Sequence, residues 1–206
     1  MRIIAGKFRG RNIKANPGKT TRPIMDRAKQ MLFDRLEQEL EGARVLDVFS
    51  GTGSLGLEAL SRGAHSCVFI EQDHKAHELL RENVAHLGVE DRTICWRNNG
   101  VNSSYRPKGV PDMVPFDIVF YDPPYPLAME HFKAENTPLY KALDRLAADG
   151  VTASEAALLV LRLPVRLDPI VPPAWIRTEL ELKVASMKIL FYEKHGETED
   201  APAAGE

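Results

Sequence analysis

Two patterns alternate along this chain. Runs rich in β-branched and aromatic residues recur at 44–49, 66–71, 92–97, 116–121 and 156–162. Such short runs, bounded by Gly, Pro and Asn, read as strands. Between them, apolar residues fall three and four apart at 54–62, 74–87 and 138–148, the spacing of amphipathic helices. A further helix is predicted over 26–40, with Ala28, Met31, Leu32, Leu36 and Leu40 on one face. Two final runs, about 175–183 and 185–193, lie close enough to pair antiparallel. Strands alternating with helices and closed by a hairpin predict an α/β fold, a doubly wound, mostly parallel sheet of seven strands.

The ends depart from this alternation. Residues 1–15 interleave Ile3, Ile4, Phe8 and Ile13 with basic side chains and read as a β-hairpin around Gly6 and Gly10. Residues 16–20 read as a loop, and 99–115, rich in Gly, Pro and Asn, carries no clear period. The last ten residues are small, acidic and Pro/Ala-rich, the composition of a disordered tail. The expected division is a basic extension over 1–25, a catalytic domain over 26–194 and a tail over 195–206.

Charge sharpens that division. The net charge of −2 conceals ten Lys and Arg against two acids in residues 1–35, a local net of +8. The remainder carries −10. A basic extension on an acidic body reads as a nucleic-acid footprint, with Lys7, Arg9, Arg11 and Arg22 as candidate phosphate contacts. The alternative is a solvated arm with no partner. No apolar run approaches 18 residues and no signal peptide opens the chain, so a cytoplasmic, non-membrane protein is expected. Cys67 and Cys95 lack C-x-x-C spacing and read as reduced core residues. His74 and His77 share a helix face without a third ligand, so a solvated pair and no metal are expected.

Two motifs carry chemistry. Residues 44–58 read as a strand, a glycine turn and a helix, with Gly51, Gly53 and Gly56 matching G-x-G-x-x-G. That pattern alone also describes dinucleotide sites. Asp47, inside the strand, suits a ligand bearing an ammonium group, such as the methionine end of S-adenosylmethionine. Glu71, twenty residues after Gly51 at the end of the next strand, suits a ribose diol. The second motif, Asp122-Pro123-Pro124-Tyr125, follows the 116–121 strand at the lip where open α/β sheets bind ligands. Asp122 and the Pro123 carbonyl can each accept one N–H of an exocyclic amine, and the prolines keep the carbonyls aimed. Tyr125 can stack on a base, worth roughly 1–3 kcal/mol. The tetrapeptide alone equally describes a Pro-rich turn capping the core.

Taken together, Asp47 to Ala64, the strand ending in Glu71 and Asp-Pro-Pro-Tyr resemble a class I S-adenosylmethionine-dependent methyltransferase. Met1 to Arg11, Thr21-Arg22-Pro23, Asp26-Arg27 and Leu32-Phe33 narrow the resemblance to the RsmD family over residues 1 to about 194. The resemblance implies methylation of the 2-amino group of a guanine in 16S ribosomal RNA, within the small subunit or an assembly intermediate, by a monomer. It places Asp122, Pro123 and Tyr125 at the chemistry, and Asp47, Ser50, Gly51, Gly53, Glu71, Gln72, Asn98 and Asp122 at the cofactor. Three departures stand out. Ala28-Lys29-Gln30 replaces the usual Val-Arg-Glu, which weakens an expected Arg-to-acid contact. Asn98 and Asn99 stand where many class I enzymes place an acid near the adenine amine, and an amide can still accept that hydrogen bond. Arg162 occupies a position where the family often has glutamate.

Rival readings make different demands. A DNA adenine methylase would carry a target-recognition segment, and about thirty residues after Tyr125 are too few for one. A glutamine methylase has less use for the basic arm. An NAD oxidoreductase leaves Asp122 to Tyr125 unexplained, and a non-catalytic RNA-binding module would not need the acid set at all.

Overall fold

Apolar side chains on both faces make β1 (Arg44–Val48) a central strand. It is flanked in parallel by β2 (Ser66–Ile70) and β4 (Ile118–Tyr121). Outside these, also parallel, lie β3 (Thr93–Trp96) and β5 (Leu158–Pro164). The hairpin of β6 (Trp175–Val184) and β7 (Met187–Lys194) closes the sheet, with β7 antiparallel to β5, in the order β3-β2-β1-β4-β5-β7-β6. The computed structural model describes residues 1–15, 26–153 and 156–195; Arg22 and the tail expected after 195 lie outside the described residues.

Each sheet face has its own core. On one face Val45, Cys67, Phe69, Phe120, Val160 and Phe191 pack against α1 (Asp26–Arg35), α2 (Glu37–Leu40) and α3 (Ser54–Ser61). On the other, Leu46, Val68, Val119, Leu161 and Leu190 pack against α5 (Tyr125–His131) and α6 (Pro138–Leu146). The helix α4 (His74–Leu87) starts where Asp73 accepts the Ala76 N–H at 2.8 Å and ends at Gly88 with φ 67°. Cys67 and Cys95 are free thiols, and burial pushes Cys95 up to about 11. No helix among the described residues is long and apolar enough to cross a membrane.

Two elements differ from the expectation. The helix predicted over 26–40 is divided at Leu36, whose backbone (φ −89°, ψ 6°) leaves the helical region while its carbonyl takes the Glu39 N–H. The segment after Asp122 holds α5, because Pro124 and Pro126 have φ values suited to a helix start and no N–H that a first turn would leave unpaired.

The N-terminal segment does fold back on itself. Arg2 and Asn12 form an antiparallel bridge, and Ile3 N–H reaches the Arg11 carbonyl at 3.0 Å. Its apolar residues Ile3, Phe8 and Ile13 are buried in the same cluster as α1 and α3. At Gly6, φ is 79° and an added Cβ would lie 1.9 Å from the Ser61 carbonyl oxygen, so the arm lies directly on the end of α3. The anchor is Glu58, fully buried on α3. It accepts the N–H groups of Ile4 (2.8 Å) and Ala5 (3.0 Å) and pairs with Lys29 and Arg62, each at 3.0 Å. Lys29 therefore makes the basic-to-acid contact that the departure at that position was expected to weaken. It also donates to the Arg2 carbonyl at 2.7 Å.

Removing one partner of a buried pair leaves the others uncompensated. Glu58→Ala is expected to lower stability by about 3–5 kcal/mol in denaturant titrations. Amide exchange at Ile4 and Ala5 should accelerate well beyond that of β1, and unchanged exchange there would show that Glu58 does not hold the arm.

Candidate active site

The site follows from strand alternation. Residues two apart on a strand share a face, and Asp47 is level with Phe69 on one side and Phe120 on the other. Phe120 is level with Val160. Two positions further along the same face come Glu71 and Asp122, just beyond the carboxyl ends of β2 and β4, and Arg162, near the carboxyl end of β5 beside Asp122. Asp122 and Glu71 are thus each brought within electrostatic reach of Asp47.

The three glycines meet different demands. At Gly51 (φ 57°) a Cβ would meet nothing within 4 Å, so its backbone borders open space. At Gly53 (φ 87°) it would meet Leu80 at 2.5 Å, and at Gly56 the Phe69 ring at 2.3 Å. The last approach lets Asp47, 2 % exposed, accept the Gly56 N–H at 2.9 Å. The carboxyl expected beside a ligand ammonium thus already braces the turn of α3. Burial pushes the Asp47 carboxyl up to about 8, only partly offset by the Gly56 hydrogen bond and reinforced by the charges of Asp122 and Glu71.

Glu71 supports the glycine turn from the neighbouring strand. Its oxygens accept the Gly51 N–H at 2.8 Å and the Asp73 N–H at 2.7 Å. Ser50 is tied to the Ile70 carbonyl through both its backbone N–H and its hydroxyl. Beyond β3, Asn98 accepts the Asn99 N–H, while Asn99 donates to Gln72 at 2.9 Å and accepts from Val101 and Asn102. Gln72 and Asn98 therefore sit on a bridged pair of loops. Arg145 holds the second loop from behind through the Ser103 and Val101 carbonyls, and Tyr105 donates to the Gly100 carbonyl.

At the lip, Asp122 is held by Arg162 in a two-point contact. Nε reaches Oδ1 at 2.8 Å and Nη2 reaches Oδ2 at 2.5 Å. Burial opposes the charge on Arg162, but the charge and hydrogen bonds of Asp122 outweigh it and hold the guanidinium above its ordinary value. Pro123 is buried behind Asp122, and Tyr125, half-buried, opens α5 with its ring against the α1–α3 core. The sequence motifs did not identify Arg162 as a functional residue. Its signal was a lone cation closing the apolar run Leu158–Leu161.

The donor set suits a nucleoside-type cofactor. Gly51 offers open backbone, Glu71 an acid at the next strand end, and Gln72, Asn98 and Asn99 offer amides beyond it. Among the described residues no cluster of three or more His, Cys, Asp or Glu could hold a metal. His74 is exposed beside Glu78, whereas His77 is half-buried against the Cys95 carbonyl at 3.1 Å, so only His74 matches the expected solvated histidine.

Lys7, Arg9 and Arg11 are exposed on the arm, Lys7 and Arg11 lying over the Phe8 ring at 5.7 and 5.5 Å. The arm then runs along α3 toward the glycine turn. Lys14 N–H donates to Asn83 Oδ1 at 2.7 Å, and Asn83 Nδ2 donates to the carbonyls of Lys14 (3.0 Å) and Thr52 (2.9 Å).

Residues 1–192 match the family model described as Conserved hypothetical protein 95. The chain is 33% identical over 175 residues to ribosomal RNA small subunit methyltransferase D of Escherichia coli, covering 85% of this chain and 81% of that one. It is 36% identical over 126 residues to the protein of the same name from Haemophilus influenzae, covering 61% and 64%. A solved Escherichia coli chain, yhhF, provisionally assigned as a methyltransferase, superposes with a TM-score of 0.77 at 30% identity, covering 95% of this chain and 98% of that one.

Asp47 makes the pH dependence of stability informative. Because its folded-state value of about 8 exceeds the ordinary 3.8, the folded state retains a proton that the unfolded chain loses. Its contribution to stability should therefore fall as pH rises from about 4 to about 8 and level off above. Asp47→Asn keeps an acceptor for Gly56 and should lack that slope in unfolding titrations. Parallel curves for the variant and the parent would show that Asp47 ionises normally.

Proposed function

We propose that this chain, which belongs to the RsmD family described as Conserved hypothetical protein 95, methylates the exocyclic 2-amino group of a guanine in 16S ribosomal RNA. The observation that carries this reading is the convergence of Asp47, the Gly51 turn, Glu71 and Asp122 at one lip of the sheet. Relatives named ribosomal RNA small subunit methyltransferase D support the substrate class. The cofactor, S-adenosylmethionine, supplies an activated methyl on its sulfonium.

The chain's own residues do the rest by positioning. Glu71 meets the ribose diol while still bracing Gly51, since each carboxylate oxygen has a second lone pair. Asn98 and Gln72 line the adenine end, and Ser50, Gly51 and Gly53 hold the methionine portion along the turn. The guanine amine is a poor nucleophile because its lone pair is delocalised into the ring. Asp122 and the Pro123 carbonyl each accept one N–H, and Tyr125 stacks on the base. Holding the nitrogen in line and placing acceptors where charge builds supplies most of the acceleration. After the methyl has moved the nitrogen sheds one N–H proton, to Asp122 or to water. A paired guanine cannot reach this site, so the base is taken from a loop or flipped out of its stack. Lys7, Arg9 and Arg11, with Arg22 outside the described residues, grip phosphates, and base choice stays with the pocket. The protein acts as a cytoplasmic monomer on the small subunit or an assembly intermediate.

The test is incubation with labelled S-adenosylmethionine and, in turn, small ribosomal subunits, naked ribosomal RNA, duplex DNA and protein extract. Label is expected in the 2-amino group of a guanine. Label in adenine or glutamine would replace this reading with another amino-methyltransferase. Asp122→Ala should remove most turnover while S-adenosylmethionine affinity in calorimetry stays within a few-fold; parent-like turnover would exclude Asp122 from the chemistry. Tyr125→Phe should be tolerated, because stacking needs the ring.

The arm is tested separately. Replacing Arg9 and Arg11 by alanine should flatten the slope of log RNA affinity against log salt by roughly 0.7–0.9 per lost contact, with cofactor affinity unchanged. An unchanged slope would make the arm a structural brace alone.

A further inference from the structure

We infer that Arg162 is a positioning residue for the methyl-transfer site, fixing the orientation of the Asp122 carboxylate before the base arrives. The inference rests on the reading of Asp122 as acceptor for the amine.

Pro123 restricts the backbone of the residue before it, but not the side chain. An aspartate carboxyl turns on a broad, two-fold torsion, so Asp122 alone would present its oxygens in many directions. Arg162 removes that freedom. Its planar fork meets Oδ1 at 2.8 Å and Oδ2 at 2.5 Å, and turning the carboxylate would break both charge-assisted contacts together. The fork is itself well supported. Arg162 is paired to Ile189 within β5 and β7, its Nη1 lies 4.0 Å from Met187 Sδ, and its side chain is 11% exposed.

Charge gives a second reason. Asp122 lies just beyond β4, with its side chain largely buried. Without a cation beside it, an ionised carboxylate there would turn to water, away from a base at the lip, and Arg162 opposes this. A lysine would supply the charge without the fork. With the edge facing Arg162 occupied, the lone pairs on the outer sides of the carboxylate remain for an amine, so the direction of acceptance is set by the protein.

A purely structural ion pair would have the same geometry, and kinetics separate the two. Single-turnover rates and S-adenosylmethionine affinity are measured for the parent, Arg162→Met, Arg162→Lys, Asp122→Ala and the double variant Asp122→Ala/Arg162→Met, with the small-subunit substrate. Arg162→Met is expected to lower the rate constant about 10- to 100-fold, the usual cost of a misaligned reacting group, with cofactor affinity and KM within about threefold. Added guanidinium should restore part of that rate. In the Asp122→Ala background the same substitution should cost no more than about twofold, because Arg162 acts through Asp122. Equal losses in both backgrounds, or a parent-like rate for Arg162→Met, would overturn the inference while leaving Asp122 as acceptor. Parent-like turnover by Asp122→Ala would overturn both. Should Arg162→Met not fold, Arg162→Lys carries the test: a reduced rate at unchanged cofactor affinity supports the fork, and the parent rate rejects it.

Discussion

A single buried carboxylate joins the N-terminal arm to the helices that cover the sheet. Glu58 has no exposure, and an uncompensated charge there would be costly, so its oxygens must be filled. They are filled by two backbone N–H groups of the N-terminal arm, by Lys29 of α1 and by Arg62 at the end of α3. Because α3 begins at the glycine turn, the segment carrying Lys7, Arg9 and Arg11 is fixed to the helix that the turn starts. Asn83 makes a second tie, bonding the backbone of Lys14 and the Thr52 carbonyl from one buried amide. The basic arm is therefore part of the core packing and not a tether.

The site is an electrostatic compromise at the end of the same layer. Asp47, Glu71 and Asp122 would repel one another if all were ionised and unpaired. Burial resolves Asp47 by favouring its neutral form, backbone N–H groups occupy Glu71, and Arg162 answers Asp122. Three carboxyls of the same chemical type thus acquire different surroundings: one braces α3, one supports the glycine turn and one is held at the lip by a two-point contact with Arg162. The positive φ at Gly51 and the open space beside it leave that side of the turn unobstructed, while Gly53 and Gly56 allow close packing behind it.

Much of this was legible along the chain. The apolar run around Asp47 placed it inside a strand, and the glycines after it marked a turn into a helix. The G-x-G-x-x-G spacing, Glu71 at the next strand end and the prolines after Asp122 identified the carboxyl ends of three strands as the lip. The seven strands and their closing antiparallel pair followed from alternating runs, since local period and turn residues act over a few positions. Helix α5 was missed because prolines that end a strand also suit the first turn of a helix, and the sequence carries both meanings.

Pairing between distant positions was settled only by the folded chain. Asp122 meets Arg162 because β4 and β5 lie side by side in one register, which brings residues forty apart in sequence to 2.5 Å. Glu58 meets Ile4 and Ala5 over more than fifty residues, and Asn83 meets Lys14 over 69. No periodicity encodes such pairs, because each depends on sheet order and on how α3 and the arm are laid across it. The sequence by itself determined which chemical groups stand at the ends of the strands; the tertiary structure decided which of them are neutralised, braced or aimed, because burial and partners exist only once the layers have packed.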